Sequence, residues 1–531
     1  MRIRLIAALM SLVLMVSMFS GCYYYDEIVE VTTPGETSSK VTSAVSSKDT
    51  SSKKANSSKK KTSSKKTTSK ATTSKKDVYS YPALAMRPVF PDGWVSDYVL
   101  MEKPSDSSDT TVVEEDPGTS PYDTQVGFGK YADQLITSLS EIVWNGDKIY
   151  DLIAGEKAFG SPATLWPYGG YMEACGAAYE YDKTNALYET QYKKTLKNVM
   201  VYEATGVNDR WGAPAGTYLA LTCWPGSATA EVFYDDDVWI AKEFLHAYKL
   251  GITDDGVKDV NYLTQATRMI KYICETGWED TWKGGGVLWM DPHYMGSGSS
   301  APQKNTCINA PAADAAVDLY LETGDSAYLD HAKKIYGWVK GQLMDSEDHL
   351  MWDKFVNSEG NISTDKGKLP YNTGCMISAA VGLYEAEKAL GATDAQDYLD
   401  DALAFADAGI EKWIPRTQAL NNAGQLHWTN KIEGGTPWFQ SYLAEGLVDI
   451  YHLSQNDADH ADLASYAQPL RVALGLACQN RAFSNEGWFK NDLGALSNPA
   501  DSDITVMQQS ATARMLFMAG SLYDDQVYKA D

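Results

Sequence analysis

From about residue 125 onward, apolar side chains recur every three or four residues, which is the spacing of helices that bury one face. A unit repeats within this region: a helix ending in an apolar residue and Tyr, a polar turn, and Tyr-Leu-x-x-Ala at the start of another helix. The clearest copy spans residues 316–332. The tyrosines that end the first helix of each unit lie 64 to 72 residues apart, at Tyr179, Tyr248, Tyr320, Tyr384, Tyr451 and Tyr523. Six units of two helices each predict an all-α fold of six helical hairpins.

Six hairpins can stack as an open solenoid or close into an (α/α)6 barrel of six inner and six outer helices. Long units separated by irregular polar stretches favour the barrel, which we expect to occupy residues 125–531. Thirteen residues before each closing Tyr, about 20 Å along a helix, should mark the start of an inner helix. The residues at this register are Trp166, Asp235, Cys307, Tyr371, Trp438 and Ser510. A closed ring would bring them together around one mouth.

The residues expected at this mouth are of the types that bind a sugar. Aromatic faces stack on the C–H surface of a sugar, and amides and carboxylates bind its hydroxyl groups. Each aromatic residue taken singly is better explained as a core side chain, but this explanation is weaker for the whole set at matched register. The residues predicted to bind substrate are Trp166, Trp239, Trp289, Asn305, Asn309, Tyr371, Asn372, Trp438 and Phe439.

Three consecutive carboxylates begin the second inner helix, at Asp235, Asp236 and Asp237. Helix capping accounts for one acid in a first turn but not for three. Crowded carboxylates raise one another's pKa, so that one stays protonated while its neighbour is ionised. Glycoside hydrolysis needs that division between an acid and a nucleophile or base. The spacing leaves open whether the active pair is Asp235 with Asp236 or Asp236 with Asp237.

An ordered set of motifs over roughly residues 160–525 resembles glycoside hydrolase family 76, the endo-α-1,6-mannanases. The set consists of Asp235-Asp236-x-x-Trp239, the glycine-rich segment 284–289 ending in Trp, Lys304-Asn305 with Asn309, the hairpin 316–338, and Tyr371-Asn372-x-Gly374. The resemblance implies an (α/α)6 barrel and retaining cleavage of α-1,6-mannan. It also implies that Asp235 is the nucleophile and Asp236 the general acid/base, and its Trp239 register favours this pair.

Two positions depart from the family pattern. Ile240 stands where the family usually has a second Trp, and residues 437–440 replace its Phe-Lys-Gly block. Both changes could alter which sugar fits while leaving the carboxylate chemistry in place. Among the charged side chains nearby, Lys304 is interpreted as the partner of a carboxylate or as solvated. A further four acids have the spacing of a solvated hairpin surface: Asp314, Asp318, Asp325 and Asp330.

The first 124 residues predict export and a tether. A basic start, an apolar stretch and Ser20-Gly21-Cys22 resemble a bacterial lipoprotein signal over residues 1–21, with Cys22 as the lipidated residue of an N-terminal segment 22–36. Residues 37–76 include 21 Ser or Thr and 12 Lys, a composition that cannot bury a core and predicts a disordered linker. Residues 77–124 are interpreted as an extended lead-in. Together these segments place the protein on the outer face of a bacterial membrane, anchored by lipid.

Charge and residue spacing exclude other classes. Residues 1–77 carry a net charge of +8 and the remainder −32, so the body would be repelled by nucleic acid and by the uronic acids that lyases bind. The seven histidines have no metal-ligand spacing and the cysteines no CxxC pair, so we expect neither metal nor other cofactor. No apolar run reaches the roughly 20 residues of a membrane span.

We expect a monomeric glycosidase acting on a polysaccharide. The alternatives are a surface lipoprotein that binds glycan without cleaving it and an (α/α)6 glycosidase of different specificity.

Overall fold

The computed structural model describes residues 127–522 except 155–156, 205–216, 227–230, 253–261, 295–300, 421–425, 457, 480–486 and 495–503. The segments 1–21, 22–36, 37–76 and 77–124 lie outside the described residues, so the signal, the lipid at Cys22, the linker and the lead-in stay predictions. Within the described part, none of the helices combines the length and apolar character needed to cross a bilayer.

Twelve α-helices make up most of the described residues. They are α1 Phe128–Ile142, α2 Leu165–Tyr181, α3 Ala186–Asn198, α4 Tyr234–Lys249, α5 Tyr262–Lys271, α6 Thr306–Thr323, α7 Ser326–Gln342, α8 Pro370–Ala389, α9 Ala395–Trp413, α10 Pro437–Asn456, α11 Gln468–Gln479 and α12 Val506–Ser521. A π-helical turn, Tyr272–Thr276, continues α5. Shorter 3₁₀ segments are Val199–Tyr202, Pro292–Tyr294 and Ala458–Ala467.

The even-numbered helices form a closed inner ring. Each packs against the next, from α2 through α4, α6, α8 and α10 to α12, and α12 packs back against α2. The predicted starts of the first five are one residue inside the observed helices, and the sixth, Ser510, is four residues inside. The (α/α)6 barrel predicted from the register is therefore confirmed. We call the end where the inner helices begin the mouth, and the end where they finish the rear.

The two rings differ in how their helices are buried. Outer helices are amphipathic: α5 buries Tyr262, Ala266, Met269 and Ile270, which share one face at helical spacing. Inner helices are buried almost all round, because they contact neighbours on both sides and the outer helices behind. In α6 the small side chains of an alanine-rich sequence allow this close packing, and its residues from Thr306 to Val317 are all buried.

The hairpins are joined in chain order except for the last pair. Helices α2 to α9 pair as inner helix and following outer helix, whereas α10 packs on the 3₁₀ segment Ala458–Ala467, which in turn contacts α11. The outer partner of α12 is α1, from the other end of the described chain. The repeated polar turn also has a clear role between α6 and α7. Gly324 adopts a left-handed φ of 71° to end α6, and Asp325 accepts a hydrogen bond from the N–H of Ala327 to cap α7.

Short antiparallel strands lie between the helices. They are β1 Trp144–Asn145, β2 Lys148–Ala154, β3 Lys157–Pro162, β4 Gln303–Asn305, β5 Trp352–Ser358, β6 Asn361–Lys368, β7 Arg416–Leu420, β8 Leu426–Asn430 and β9 Ile504–Thr505. The sheet orders are β1-β2-β3 with β9 paired to β2, then β4-β5-β6, then β7-β8. Register partners include Ile153 with Ile504 and Lys304 with Phe355. Strands β3, β4, β6, β8 and β9 each precede an inner helix, so they surround the mouth.

Ion pairs fill the middle of the barrel. Lys242 of α4 pairs with Asp314 of α6 at 2.6 Å and with Glu445 of α10 at 3.1 Å. Arg514 of α12 pairs with the same Glu445 at 2.9 Å and with Glu173 of α2 at 3.5 Å. Asp314 is only 5% exposed, so the prediction that it is a solvated surface acid is wrong. Below this layer a cavity of about 680 Å³ extends to the rear.

Candidate active site

Asp235, Asp236 and Asp237 occupy the first turn of α4, at the mouth. The N-terminal end of a helix carries partial positive charge and exposed N–H groups, so it favours anionic side chains. Asp235 and Asp236 are partly exposed, whereas Asp237 is completely buried. Three neighbouring acids therefore have different environments, and only the first two reach the surface of the mouth.

Asp237 is tied to the backbone of the segment that precedes the helix. Its Oδ1 accepts a hydrogen bond from the N–H of Leu221 at 2.8 Å. Burial is the main cause of a pKa raised well above the usual range for aspartate, and the negative charges of Asp291 and Asp235 add to it. Asp237 therefore links Leu221, in the segment that precedes the helix, to the first turn of α4.

Asp235 is the best-bonded carboxylate of the three. Its Oδ2 accepts hydrogen bonds from Trp289 Nε1 at 2.8 Å and from Cys307 Sγ at 3.2 Å, and its Oδ1 accepts one from the N–H of Asp236 at 3.1 Å. Burial raises the pKa of Asp235 to about 6, while these bonds act to lower it. Near neutral pH the carboxyl of Asp235 is therefore ionised.

Asp236 is in the opposite situation. Burial, and then the negative charge of Asp235, raise its pKa well above the usual range. Ionising both carboxyls would place two negative charges side by side in a poorly solvated cleft, so one proton stays on Asp236. The arrangement supplies one ionised carboxylate and one carboxylic acid within the same helical turn.

A glycine-rich loop, residues 277–290, brings Trp289 to Asp235. The N–H of Trp289 donates to the carbonyl of Gln303 at 2.9 Å, and its carbonyl accepts from the N–H of Tyr234 at 3.0 Å. The loop therefore links the start of α4 to strand β4. Trp289 is partly exposed beside the carboxylate that it contacts.

Lys304 holds this loop from the inside. Its Nζ donates to the carbonyls of Glu279, Trp282 and Gly285 at 2.6, 2.9 and 2.7 Å, and pairs with Glu279 Oε2 at 2.8 Å. Lys304 is completely buried. Of the two sequence interpretations, solvation is therefore wrong, and the carboxylate it pairs with is Glu279 of the loop.

Aromatic side chains from α2, α8 and α10 form one cluster at the mouth. The Phe439 ring lies nearly parallel to that of Tyr371, at 4.6 Å and 14°, and to that of Trp166, at 6.4 Å and 21°. Trp438 meets Trp166 edge-on at 5.1 Å. Trp166 and Phe439 are partly exposed, while Tyr371 and Trp438 are buried beneath them. The cluster therefore presents aromatic surface at the mouth.

The remaining predicted substrate residues lie deeper. Trp239 is 3% exposed, packs on Tyr442 at 4.4 Å and lines the rear cavity. In this structure it belongs to the interior of the barrel rather than to the mouth surface. Trp239 is therefore explained as a core residue, because its side chain is buried.

The three predicted asparagines are buried. Asn309 donates to the carbonyls of Val287 and Asn305, both at 2.9 Å, and accepts from the N–H of Val287 at 2.7 Å, so it fixes the glycine-rich loop. Asn372 donates to Asp353 at 3.4 Å. The amide of Asn305 has no hydrogen-bond partner among the described residues. These side chains form a polar layer behind the mouth.

Cys307 is one of the residues that the register predicts at the mouth, but the sequence indicates no role for it. Its contact with Asp235 depends on how α6 sits against α4, which spacing along the chain does not reveal. The six described cysteines form no disulfide bonds with one another. Within the described ranges no group of three or more His, Cys, Asp or Glu side chains could hold a metal ion.

The fold and site define an (α/α)6-barrel protein with a carboxylate pair at the mouth of its inner ring. The chain belongs to glycosyl hydrolase family 76, whose sequence profile matches residues 133–529. This confirms the family suggested by the motifs.

Two curated relatives match part of the chain. It is 23% identical over 308 residues to the meiotically up-regulated gene 191 protein of Schizosaccharomyces pombe, covering 55% of this chain and 62% of that protein. It is 26% identical over 277 residues to the mannan endo-1,6-alpha-mannosidase DCW1 of Candida glabrata, covering 52% of each. The chain thus aligns with about half to three-fifths of the length of these relatives.

Solved structures share the fold. A family 76 mannosidase from Bacteroides thetaiotaomicron superposes with a TM-score of 0.60 at 24% identity, covering 74% of this chain and 98% of that one. The α-1,6-mannanase of Salegentibacter sp. HEL1_6 gives 0.54 at 22% identity, with 74% and 99% covered. An inactive variant of that mannanase, with two consecutive aspartates replaced, has been solved with α-1,6-mannotriose and gives 0.54 at 21% identity.

Proposed function

We propose that this protein is an endo-acting glycoside hydrolase that cleaves α-1,6-linked mannan or a closely related α-glycan with retention of configuration. The observation that carries the proposal is the division of roles between Asp235 and Asp236. One is held by three hydrogen bonds and ionised near neutral pH, and the other keeps its proton. A retaining glycosidase needs one carboxylate of each kind.

In the first step, a carboxylate oxygen of Asp235 forms a bond to the anomeric carbon while the glycosidic C–O bond breaks. The departing oxygen takes the proton of Asp236. In the second step, the Asp236 carboxylate accepts a proton from a water molecule, whose oxygen bonds to the anomeric carbon and releases Asp235. Asp236 ends protonated and Asp235 ionised, so the pair returns to its starting state with water as the only co-reactant.

The site around the pair supports a sugar ligand. Trp289, Trp166 and Phe439 offer partly exposed aromatic surface at the mouth. A sugar stacks its C–H face on such rings while its hydroxyl groups seek polar partners. We assign these three residues to substrate contact, and Tyr371, Trp438, Asn305 and Asn372 to the layer that supports them.

The choice of α-1,6-mannan rests on relatives. The Candida glabrata protein is described as a mannan endo-1,6-alpha-mannosidase, and the Salegentibacter structures as an α-1,6-mannanase, one of them with α-1,6-mannotriose. The departures at Ile240 and residues 437–440 make a related α-glycan the second possibility for the substrate.

We further propose that the enzyme works at the outer face of a bacterial membrane. The support is the lipoprotein-like signal ending at Cys22 and the Lys-rich, Ser/Thr-rich segment 37–76. Such a segment would act as a flexible tether of the barrel. Labelling of cells with a radioactive or alkyne fatty acid should mark the wild-type protein, and Cys22→Ala should lose the mark and be found in the medium.

Three matched variants test the catalytic proposal. Asp235→Asn and Asp236→Asn should each lower kcat on linear α-1,6-mannan by about a thousandfold or more while the affinity for mannan persists. Asp237→Asn is the control, because the amide oxygen can still accept from Leu221 and the residue does not reach the cleft. It should keep most of the activity.

Analysis of the products released from mannan tests whether the protein cleaves internally and with retention. Short oligosaccharides whose new reducing ends are initially α anomers would support endo cleavage with retention. Wild-type protein that binds mannan without releasing reducing ends would overturn the enzyme proposal in favour of a glycan-binding lipoprotein. Loss of activity in Asp237→Asn but not Asp235→Asn would move the pair by one residue.

A further inference from the structure

The carboxylate of Asp235 contacts a cysteine thiol that neither the family motifs nor the mechanism above requires. Cys307 is the second residue of α6 and is 2% exposed. Its Sγ lies 3.2 Å from Asp235 Oδ2, within reach of an S–H hydrogen bond. The thiol is the donor in this contact, since a thiolate there would face a second negative charge.

The two oxygens of Asp235 have unequal partners. Oδ2 accepts from Trp289 and Cys307, so both of its lone-pair directions have a donor. Oδ1 accepts from the N–H of Asp236. Both side-chain donors therefore act on Oδ2, and among the described contacts no side-chain donor reaches Oδ1.

We propose that Cys307 is a positioning residue for catalysis: its thiol, with Trp289, fixes Asp235 Oδ2 so that Oδ1 is the oxygen that attacks the anomeric carbon. This inference rests on the proposed function, because it assigns Asp235 as the nucleophile. After attack, Oδ2 becomes the carbonyl oxygen of the glycosyl ester. The same two donors then stabilise the negative charge that returns to Asp235 when water releases the sugar.

The backbone geometry keeps both donors in place. Cys307 follows strand β4, whose Gln303 carbonyl binds the N–H of Trp289 at 2.9 Å. Lys304, in the same strand, holds the glycine-rich loop through three carbonyls. One strand therefore sets the position of Trp289 and of Cys307, and Asp235 receives its two side-chain bonds from a single rigid unit.

Titratable groups other than Cys307 also lie near Asp235. On α4 these are Asp236 and Asp237. On the preceding segment they are Cys223 and Glu231. Burial raises the pKa of the Cys223 thiol, and the charges of Glu231 and Asp235 add to this effect. None of these groups donates a side-chain hydrogen bond to Asp235 among the described contacts. Loss of the Cys307 bond should therefore act directly on the ionised form of Asp235.

The test compares Cys307→Ala, which removes the donor, with Cys307→Ser, which retains one. Cys274→Ala is the matched control, because Cys274 is equally buried but lies in the π-helical turn Tyr272–Thr276. In the full-length protein, Cys307→Ala should move the acidic limb of kcat/KM upward by about half a pH unit to one unit, since a thiol is a weak donor. Cys307→Ser should restore the limb, and Cys274→Ala should leave it unchanged even if its Tm falls.

A second readout separates this inference from the proposed function. The pKa of Asp235 can be followed without substrate by carboxyl ¹³C NMR, with the signal assigned by its loss in Asp235→Asn. If wild type cleaves no mannan, the proposed function fails, and the same upward shift in Cys307→Ala would still support the thiol contact. Equal profiles for wild type and Cys307→Ala, or equal shifts for the Ala and Ser variants, would overturn the role of the thiol.

Discussion

Three consecutive aspartates differ because each side chain leaves the helix in a different direction. Asp237 points into the body and binds the backbone of Leu221, Asp235 receives donors from two other elements, and Asp236 is governed by burial and by its neighbour's charge. A run of identical residues thereby yields one structural group and two chemically distinct ones.

The pH dependence of activity follows from Asp235. The proposed mechanism needs this carboxylate ionised, and its pKa is raised to about 6. We expect kcat/KM to fall about tenfold per pH unit below that value and to stay level above it until Asp236 loses its proton. A steady-state profile on mannan between about pH 4 and 9 measures this. Activity that stayed level far below the expected limb would contradict the assignment.

Asp236 should make the protein less stable as the pH rises, whereas Asp235 should make it less active as the pH falls. Folding raises its pKa, so the folded protein retains a proton that the unfolded chain releases above about pH 4. The contribution of Asp236 to stability is thus full at low pH and is lost as the pH rises toward the folded pKa. Asp236→Asn, which cannot ionise, should unfold at a Tm higher by about 2 °C or more near pH 8.

Calorimetry of wild type and Asp236→Asn at several pH values checks this expectation. The two Tm curves should converge as the pH falls below about 4, where Asp236 is protonated in both states of the wild type. A variant that is less stable than wild type at high pH would show that the carboxylate has a stabilising partner.

At this scale the sequence indicated the acidic run and one protonated carboxyl beside an ionised one, but its spacing left open which two of the three aspartates form the pair. Cys307 and Lys304 were visible at the mouth, yet their contacts with Asp235 and with the glycine-rich loop join residues from separate helices and loops. Asp314 was misplaced for the same reason, because its partner Lys242 lies on another inner helix. Spacing along one chain segment does not identify a partner across the ring.

Adjacent inner helices come into close contact where their sequences supply glycine. A Cβ on Gly374 of α8 would lie 2.3 Å from the carbonyl oxygen of Tyr442 in α10, and one on Gly446 would lie 2.8 Å from the carbonyl oxygen of Gly374. The obstacles are backbone atoms, which cannot rotate away. The Gly of the Tyr-Asn-x-Gly motif is therefore needed for helix packing.

Gly374→Ala should destabilise the protein by about 1–3 kcal/mol or more, because α8 and α10 must separate to admit the methyl group. Gly337→Ala is the control: Gly337 lies exposed on α7 with no heavy atom within 4 Å of a Cβ. It should be neutral or stabilising by up to about 1 kcal/mol. Urea unfolding of both variants measures the contrast, and equal effects would contradict the packing argument.

Helices were predicted well and strands were not. The 3.6-residue pattern and the closing tyrosines fix inner-helix starts to within one residue for five of six. The strands at the mouth are short, and several are largely polar, such as β6 Asn361–Lys368. Their pairing depends on contacts with other loops, so the sequence offers no strong alternation to detect.

At the scale of the whole molecule, the barrel is closed where the two ends of the described chain meet. Helix α12 packs between α2 and α10 with α1 behind it, and its Arg514 pairs with Glu173 on one side and Glu445 on the other. Lys242 and Arg514 overcome the effect of burial and lower the pKa of Glu445 to about 2, so the acid at this junction remains ionised.

Removal of α1 should therefore open the barrel at α12, where the two ends of the described chain meet. A protein lacking residues 1–126 should unfold cooperatively, because every described contact is retained. A protein lacking residues 1–142 also loses Phe128, Leu135, Ile136 and Leu139, which are buried. It should bind the dye ANS and show a lower Tm, and a compact, dye-free truncated protein would contradict this view of closure.

Closure by the chain ends has a consequence for biosynthesis. Helix α1, the first helix of the described residues, can acquire its main partner α12 only after residue 521, the last of α12, has been synthesised. Until then the lumen stays open along one side, and the ion pairs of Arg514 have not formed. A nascent chain thus cannot form the finished barrel before the synthesis of α12 is complete.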